Sequence, residues 1–265
     1  MPKVSVIMGI YNTLKKEYLE KSINSILNQT FKDFEFIICD DGSTNECFEW
    51  AREVCKDDAR CILIKNEKNE GLSYTLNRCL GIAKGKYIAR MDDDDISDVT
   101  RLEKQIKVLD TTDYGVVASN ANVFDDNGIY SELIYPEIIQ KKDFLFGNPI
   151  IHPSVLIRKL DYDKVNGYRN SKITNRVEDY DLFMRMYSNN VKMYVLQEKL
   201  LSYRQDNNSL RKRKFKYRIN ECIIRAYGFY KMKLYPKAIV FIIKPIIVGV
   251  MPNKLLMKIK KRSKK

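Results

Sequence analysis

Short apolar runs alternate with amphipathic stretches from the start of the chain to about residue 118, and this alternation admits few folds. Val4 to Ile10 is a β-branched apolar run that ends at Tyr11-Asn12. Leu19, Ile23, Ile26 and Leu27 keep helical spacing within Tyr18 to Gln29, and Phe34 to Cys39 is a second buried strand, stopped by the turn signal Asp40-Asp41-Gly42-Ser43. Cys47, Trp50, Ala51 and Val54 form a helical stripe before a strand at Cys61 to Ile64. Leu72, Leu76, Cys79, Leu80 and Ala83 form another before a strand at Tyr87 to Met91. Leu102, Ile106 and Leu109 mark a fourth helix, and Gly115 to Ala118 begin a further strand. Strands that alternate with helices connect by right-handed crossovers, so the expected fold is α/β, a Rossmann-like, mainly parallel sheet flanked by helices. Ligands collect at the carboxyl ends of such strands.

The second half predicts a smaller, mixed region. Asn122 to Tyr135 has Asp126-Asn127-Gly128 between apolar flanks, the pattern of a hairpin, and Ile138 to Phe146 reads as a short helix. Ile150 to Ile157 reads as a strand interrupted by Pro153, hence an edge or a bulge. Glu178-Asp179-Tyr180-Asp181 opens a helix with Leu182, Phe183, Met186 and Tyr187 inward, and Val191 to Leu196 is the last clear strand.

Four consecutive carboxylates, Asp92 to Asp95, follow the strand at Tyr87. Side chains at i and i+2 share a face of an extended chain, which places Asp92 and Asp94 together and Asp93 and Asp95 opposite, a D-x-D arrangement. Adjacent carboxylates raise one another's pKa and are costly without a cation; their hard oxygens suit Mg²⁺ or Mn²⁺. A solvated acidic loop is the plain alternative. An EF-hand frame fails, because Ile96 and Ser97 occupy its fifth and sixth places. Three strand ends carry polar groups, at Tyr11-Asn12, Asp40-Asp41 and Asp92 to Asp95, and a nucleotide with a metal-bound diphosphate fits such an edge. No G-x-G-x-x-G follows the first strand and no P-loop occurs, so a metal has to replace the glycine-rich phosphate cradle.

Composition narrows the chemistry further. The six cysteines contain no C-x-x-C and His152 is the single histidine, which makes a zinc site unexpected; the cysteines read as reduced and cytosolic. His152, in an apolar run, reads first as a satisfied core residue, with the sugar or acceptor site as the alternative. MPKVSVIMGI lacks the pattern of a signal peptide, so no export is expected.

Five stretches in order resemble bacterial family 2 glycosyltransferases of the GT-A fold: VSVIMGIYN, SINSILNQTFKDFEFIICDDGST, NEGLSYTLNRCLGIAKGKYIARMDDDDIS with RLEKQ after it, HPSVLIR, and VEDYDLFMRM. Gly9 stands where a Pro is common and Asp93 where Ala is frequent; neither change removes a metal ligand. The resemblance spans roughly residues 1–210 and implies a nucleotide-binding half at 1–119 and an acceptor-binding half at 120–210. It implies that Tyr11 and Asp41 hold the base of a nucleotide-sugar donor, UDP by family habit. Asp92 or Asp93 would bind the ribose or metal-bound waters, and Asp94, with Asp92, the Mn²⁺ or Mg²⁺. Asp179 would be the base of an inverting, non-processive transferase of the capsule, O-antigen or exopolysaccharide type. Each role has a structural counterpart: packing for Tyr11, turn chemistry for Asp40 or Asp41, and a helix cap for Asp179. A sugar nucleotidyltransferase would need a basic, glycine-rich loop that MGIYNTLKK lacks. A non-catalytic nucleotide-sugar-binding partner subunit is separable only by turnover.

The net charge of +13 is unevenly placed. From Arg204 onward the only acidic residues are Asp206 and Glu221, so the excess positive charge lies in the tail and the body is mildly acidic. The segment 211–265 opens with RKRKFKYR, holds the apolar run Ala238 to Met251 and ends in KIKKRSKK. That run is shorter than the about 20 residues a span requires. The tail is therefore expected to be a basic amphipathic segment, in contact with an anionic membrane surface or packed on the body, and no nucleic-acid motif accompanies it. Membrane contact would place the enzyme peripherally on the inner face of the cell membrane, with a glycan or polyprenyl-diphosphate-linked acceptor.

Overall fold

β1 (Val4–Ile10) lies between β2 (Phe34–Asp40) and β4 (Tyr87–Met91), parallel to both, and β3 (Cys61–Lys65) extends the sheet beyond β2. This computed structural model describes residues 1–205, 215–236 and 238–250. β2 and β4 are buried throughout, which is why they read as nearly unbroken apolar runs and not as alternating ones. α1 (Lys16–Leu27), α2 (Cys47–Cys55) and α4 (Arg101–Thr111) pack Leu19, Ile23, Ala51 and Leu102 against Val4, Val6 and Met8 on one face. On the other face α3 (Leu72–Ile82) packs Leu76 and Cys79 against Ile7, Ile37 and Ile88. Register pairs Ile10 with Asp40 and Met8 with Met91. Tyr11, Asp41 and Asp92, the residues that follow the three strands, therefore leave the sheet at one edge.

Beyond β4 the sheet becomes mixed. β8 (Leu156–Arg158) is antiparallel to β4 and to β6 (Val116–Asp125); β6 forms a hairpin with β7 (Gly128–Leu133) and is parallel to β9 (Met193–Arg204), whose end pairs with β5 (Ile96–Ser97). Three expectations are corrected here. β8 is an interior strand and not an edge, because Pro153 lies before it in a 3-10 turn, His152–Ser154, where its missing N–H breaks no ladder bond. The segment predicted as a helix from Ile138 to Phe146 holds only a bridge from Ile138 to Tyr194 and a 3-10 turn, Asp143–Leu145. β9 runs on to Arg204, past the polar Gln197-Glu198-Lys199, where its register with β6 shifts and the apolar period is lost.

α5 (Lys159–Lys164) leads to α6 (Glu178–Ser188), which buries Leu182, Phe183 and Met186 as its sequence predicts. Of the tail, α7 (Phe215–Lys231) and α8 (Ile239–Val250) are described; Arg211 to Lys214 and the final KIKKRSKK lie outside the described residues. α7 joins the core through Ile224, Phe229 and Met232 beyond it, and its buried Arg225 pairs with Glu221 at 2.9 Å and donates to the Leu145 carbonyl at 2.9 Å. Gly228 sits so close to α6 that a Cβ would collide with the Met184 sulfur. Gly228→Leu is expected to destabilise the protein by about 2 kcal/mol through overpacking, measured by urea denaturation, whereas the exposed Tyr230→Leu stays within about 0.5 kcal/mol.

Candidate active site

The loops at the polar sheet edge are braced by their own side chains. Asn12 takes a left-handed conformation (φ 47°) and its amide oxygen accepts the Thr44 N–H at 2.9 Å, tying the loop after β1 to the loop after β2. Asp40 is fully buried and accepts the Ser43 N–H and hydroxyl, so the turn role belongs to Asp40. Asp41 faces the other way: its carboxylate accepts from Asn66 Nδ2 at 2.8 Å and from the N–H groups of Glu70 and Gly71 at 2.9 Å each. Gly42 between loops has φ 69°, and a Cβ there would collide with the Lys68 backbone, so the close approach requires glycine.

The acidic run is a bend joining β4 to β5, not an extension of β4, so strand alternation does not govern which of its carboxylates share a face. Thr13 Oγ1 donates to Asp93, and Arg90 forms an ion pair with Asp92. Arg204, at the end of β9, holds the rest: its N–H donates to Asp95 Oδ1 at 2.7 Å and its Nε to the Asp94 carbonyl at 3.2 Å. Its guanidinium lies over the rings of Tyr18 (3.7 Å) and Phe124 (4.4 Å) and pairs with Asp126 at 2.9 Å. Burial, then repulsion from neighbouring carboxylates, pushes Asp94 up to about 8. Burial and Asp92 push Asp93 up to about 6 against the Thr13 hydrogen bond, and Asp95, with Oδ2 buried and unbonded, is raised well above the usual range.

Two cavities open beside this edge. The smaller, about 430 Å³, is lined by Gly9, Tyr11, Asp41, Asp92 and Asp93; the larger, about 860 Å³, by Arg90, Asp92, Asn148, His152, Asp179 and Tyr203. Leu72, Asp92, Arg176, Glu178 and Tyr217 line both and form their common wall. Of the residues singled out from the sequence, Tyr11, Asp41, Asp92 and Asp93 are thus brought together, Asp179 stands across the wall, and Asp94 lines neither cavity. The Asp179 carboxylate accepts from Asn148 Nδ2 at 2.8 Å and from the Tyr180 N–H at 2.7 Å, at the positive end of α6. The latter bond is cap-like; the former aims the carboxylate from the cavity side. His152 is buried and neutral, its pKa held well below the usual value by burial and by Arg90, and its Nε2 meets the Tyr168 hydroxyl at 2.7 Å. It is a satisfied core residue that also lines the larger cavity.

Sequence inspection missed Arg90, Asn148, Arg176, Glu178, Arg204 and Tyr217. Glu178 was visible beside Asp179; burial, then Asp179, push its pKa up to about 7 while Arg176 opposes. Arg176 has φ 69°, an uncommon conformation for a non-glycine residue that no composition cue announces.

The matched family model, glycosyl transferase family 2, covers residues 5–191. The chain belongs to this family, and its α/β architecture is of the GT-A type. It is 38% identical over 253 residues to the putative glycosyltransferase EpsE of Bacillus subtilis, covering 95% of this chain and 90% of that one. It is 30% identical over 232 residues to WfaP of Escherichia coli, a UDP-Glc:alpha-D-GlcNAc-diphosphoundecaprenol beta-1,3-glucosyltransferase, covering 86% and 88%. Among solved structures, S. aureus TarS 1-349 in complex with UDP-GlcNAc superposes with a TM-score of 0.73 at 16% identity, over 91% of this chain and 73% of that one. In the TarS complex with UDP the match spans 64% of that chain.

Folded Asp94 keeps its proton to about pH 8, whereas its ordinary value is 3.8. The unfolded chain binds fewer protons across that interval, so this residue makes stability fall as pH rises. In metal-free buffer Asp94→Asn is expected to melt above the wild type at pH 8, with the gap closing towards pH 4. At pH 9, where Asp94 is ionised, Arg204→Gln leaves the buried carboxylates without that cation and is expected to cost about 3 kcal/mol. Denaturation of the double variant tests the coupling: Asp94→Asn should return part of that loss.

Proposed function

We propose that the chain is an inverting, non-processive glycosyltransferase. It moves a hexosyl or N-acetylhexosaminyl group from a nucleotide-sugar, UDP-linked, to a hydroxyl of a glycan or polyprenyl-diphosphate-linked oligosaccharide in cell-surface polysaccharide biosynthesis. The observation that carries this reading is the shared wall: a nucleotide-sized cavity and a larger one meet at Asp92, Arg176 and Glu178, with Asp179 on the far side only. The reaction named for WfaP supports the UDP donor and the diphosphate-lipid acceptor.

Tyr11, about half exposed at the mouth of the smaller cavity, offers its ring to the base, and Asp41 fixes the loop that walls the base site while accepting from it. Asp92 and Asp93 meet the ribose and the start of the diphosphate. The carboxylate oxygens of Asp92 and Asp94 suit a hard Mn²⁺ or Mg²⁺ ion. No group of three or more His, Cys, Asp or Glu converges among the described residues, so the ion's other ligands would be diphosphate oxygens and water. Such an ion supplies Lewis-acid stabilisation of the departing nucleotide diphosphate. Burial, and after it repulsion among Asp92, Asp93 and Asp94, raises the Asp93 and Asp94 carboxyls, and a cation held by Asp92 and Asp94 would offset both.

Transfer takes place across the common wall. Glu178, titrating near neutrality, exchanges hydrogen bonds with sugar hydroxyls, and Arg176 beside it faces the developing negative charge. Asp179, aimed by Asn148, removes the proton of the acceptor hydroxyl as its oxygen attacks the anomeric carbon from the face opposite the leaving group. One displacement inverts that carbon, and no covalent sugar–enzyme intermediate is required. The lipid-linked acceptor locates the enzyme at the inner face of the cell membrane, held peripherally by the basic segment 211–265. No helix among the described residues is long and apolar enough to cross a membrane.

Nucleotide release from a panel of nucleotide-sugars, with Mn²⁺, Mg²⁺ or EDTA and a crude lipid acceptor, tests the proposal. One donor should be turned over in a metal-dependent way. Asp179→Asn should lose about 10²- to 10⁴-fold in rate while retaining nucleotide affinity, and Asp94→Asn should lose the metal-stimulated turnover. Donor binding without turnover under every condition would refute catalysis.

A further inference from the structure

α8 carries apolar side chains on a face that no described residue covers. Ile239, Val240, Ile243, Ile247 and Val250 are 48–71% exposed. Their spacing places them on one arc of about 100°. The other side of α8 is seated on α7, with Pro245 buried and its carbonyl accepting Arg218 Nη1 at 3.3 Å. Along one margin of the arc, Lys244 reaches over the Phe146 ring and donates to the Phe146 carbonyl at 3.4 Å. Phe146 is itself 66% exposed and packs edge-on against Phe241 at 5.4 Å.

The same short segment leads into the active site. Asn148, two residues beyond Phe146, aims Asp179, and Ile150 lines the larger cavity. An uncovered apolar stripe of this kind marks a contact with another phase or partner, and charge identifies which. Residues 251–265, which continue directly from α8, contain seven Lys or Arg and no Asp or Glu. Twelve residues with Lys244 and Pro245 among them cannot span a bilayer, so the stripe suits the plane of the interface, with cations reaching anionic headgroups.

We propose that α8 and Phe146 form a docking face for an anionic lipid bilayer, and that the segment Phe146 to Ile150 sets the acceptor cavity beside that surface. The second half rests on the assignment of the larger cavity to the acceptor. A lipid-anchored acceptor then keeps its tail in the bilayer while its sugar end reaches Asp179.

The full chain is sedimented with vesicles of phosphatidylcholine alone or mixed with phosphatidylglycerol, as wild type and as Ile243→Asp/Ile247→Asp. Both positions are exposed, so melting temperature and UDP affinity should be unchanged. The wild type is expected on the mixed vesicles only, with at least roughly tenfold weaker partition for the double variant. Nucleotide release stimulated by lipid extract in those vesicles should fall in the variant, and basal donor hydrolysis should not. Equal sedimentation of both proteins would assign binding to the basic residues alone and overturn the docking face, as would a wild type that ignores vesicles. A wild-type dimer dispersed by the two substitutions, without vesicle binding, would assign the face to a second copy. Vesicle binding with no turnover of any donor would leave the docking face standing and remove the transferase reading.

Discussion

Arg90 and Arg204 are built against the four carboxylates that leave β4, and the geometry of the site depends on that arrangement. Arg90 lies inside the sheet and reaches forward to Asp92; Arg204 closes from β9, bonded to Asp94 and Asp95 through its side chain and backbone. Burial, and after it mutual repulsion, raises Asp93, Asp94 and Asp95, so the two arginines offset only part of the cost of these carboxylates.

Neutral and cationic side chains hold the surroundings of that bend in register. Arg101, fully buried, donates to the Pro153 carbonyl at 2.6 Å, and burial brings its pKa down to about 10. Gln105 donates to the carbonyls of Val117 and Ser154, and Gln29 donates to the Asp98 carbonyl while accepting the Leu102 N–H. These bonds join the segment after α1, α4, β6 and the His152 turn, so the floor of the larger cavity is held by a buried network. Each of these bonds meets a backbone carbonyl or amide that burial would otherwise leave unpaired.

The tail does not stand apart from this network. Arg225 on α7 reaches the Leu145 carbonyl, Tyr217 completes the wall between the cavities, and Asn220 donates to the Lys172 carbonyl at 3.0 Å, next to the loop that carries Arg176. α7 is therefore part of the site's enclosure, while α8 leaves an apolar face outward.

Much of the fold was legible because burial on both faces leaves an unmistakable trace: β1, β2 and β4, and the helices between them, follow from apolar periodicity alone. The order of residues along those strands also determined that Tyr11, Asp41 and Asp92 share an edge, since parallel strands bring their carboxyl ends together. The interior position of β8, the length of β9 and the bend at Asp92 to Asp95 were decided by pairing partners distant in sequence, to which local periodicity is blind. The same holds for Arg90, Asn148, Arg176 and Tyr217. What each touches depends on loops and helices that only the packed chain brings together, and a charge or an amide in a sequence carries no record of its eventual partner.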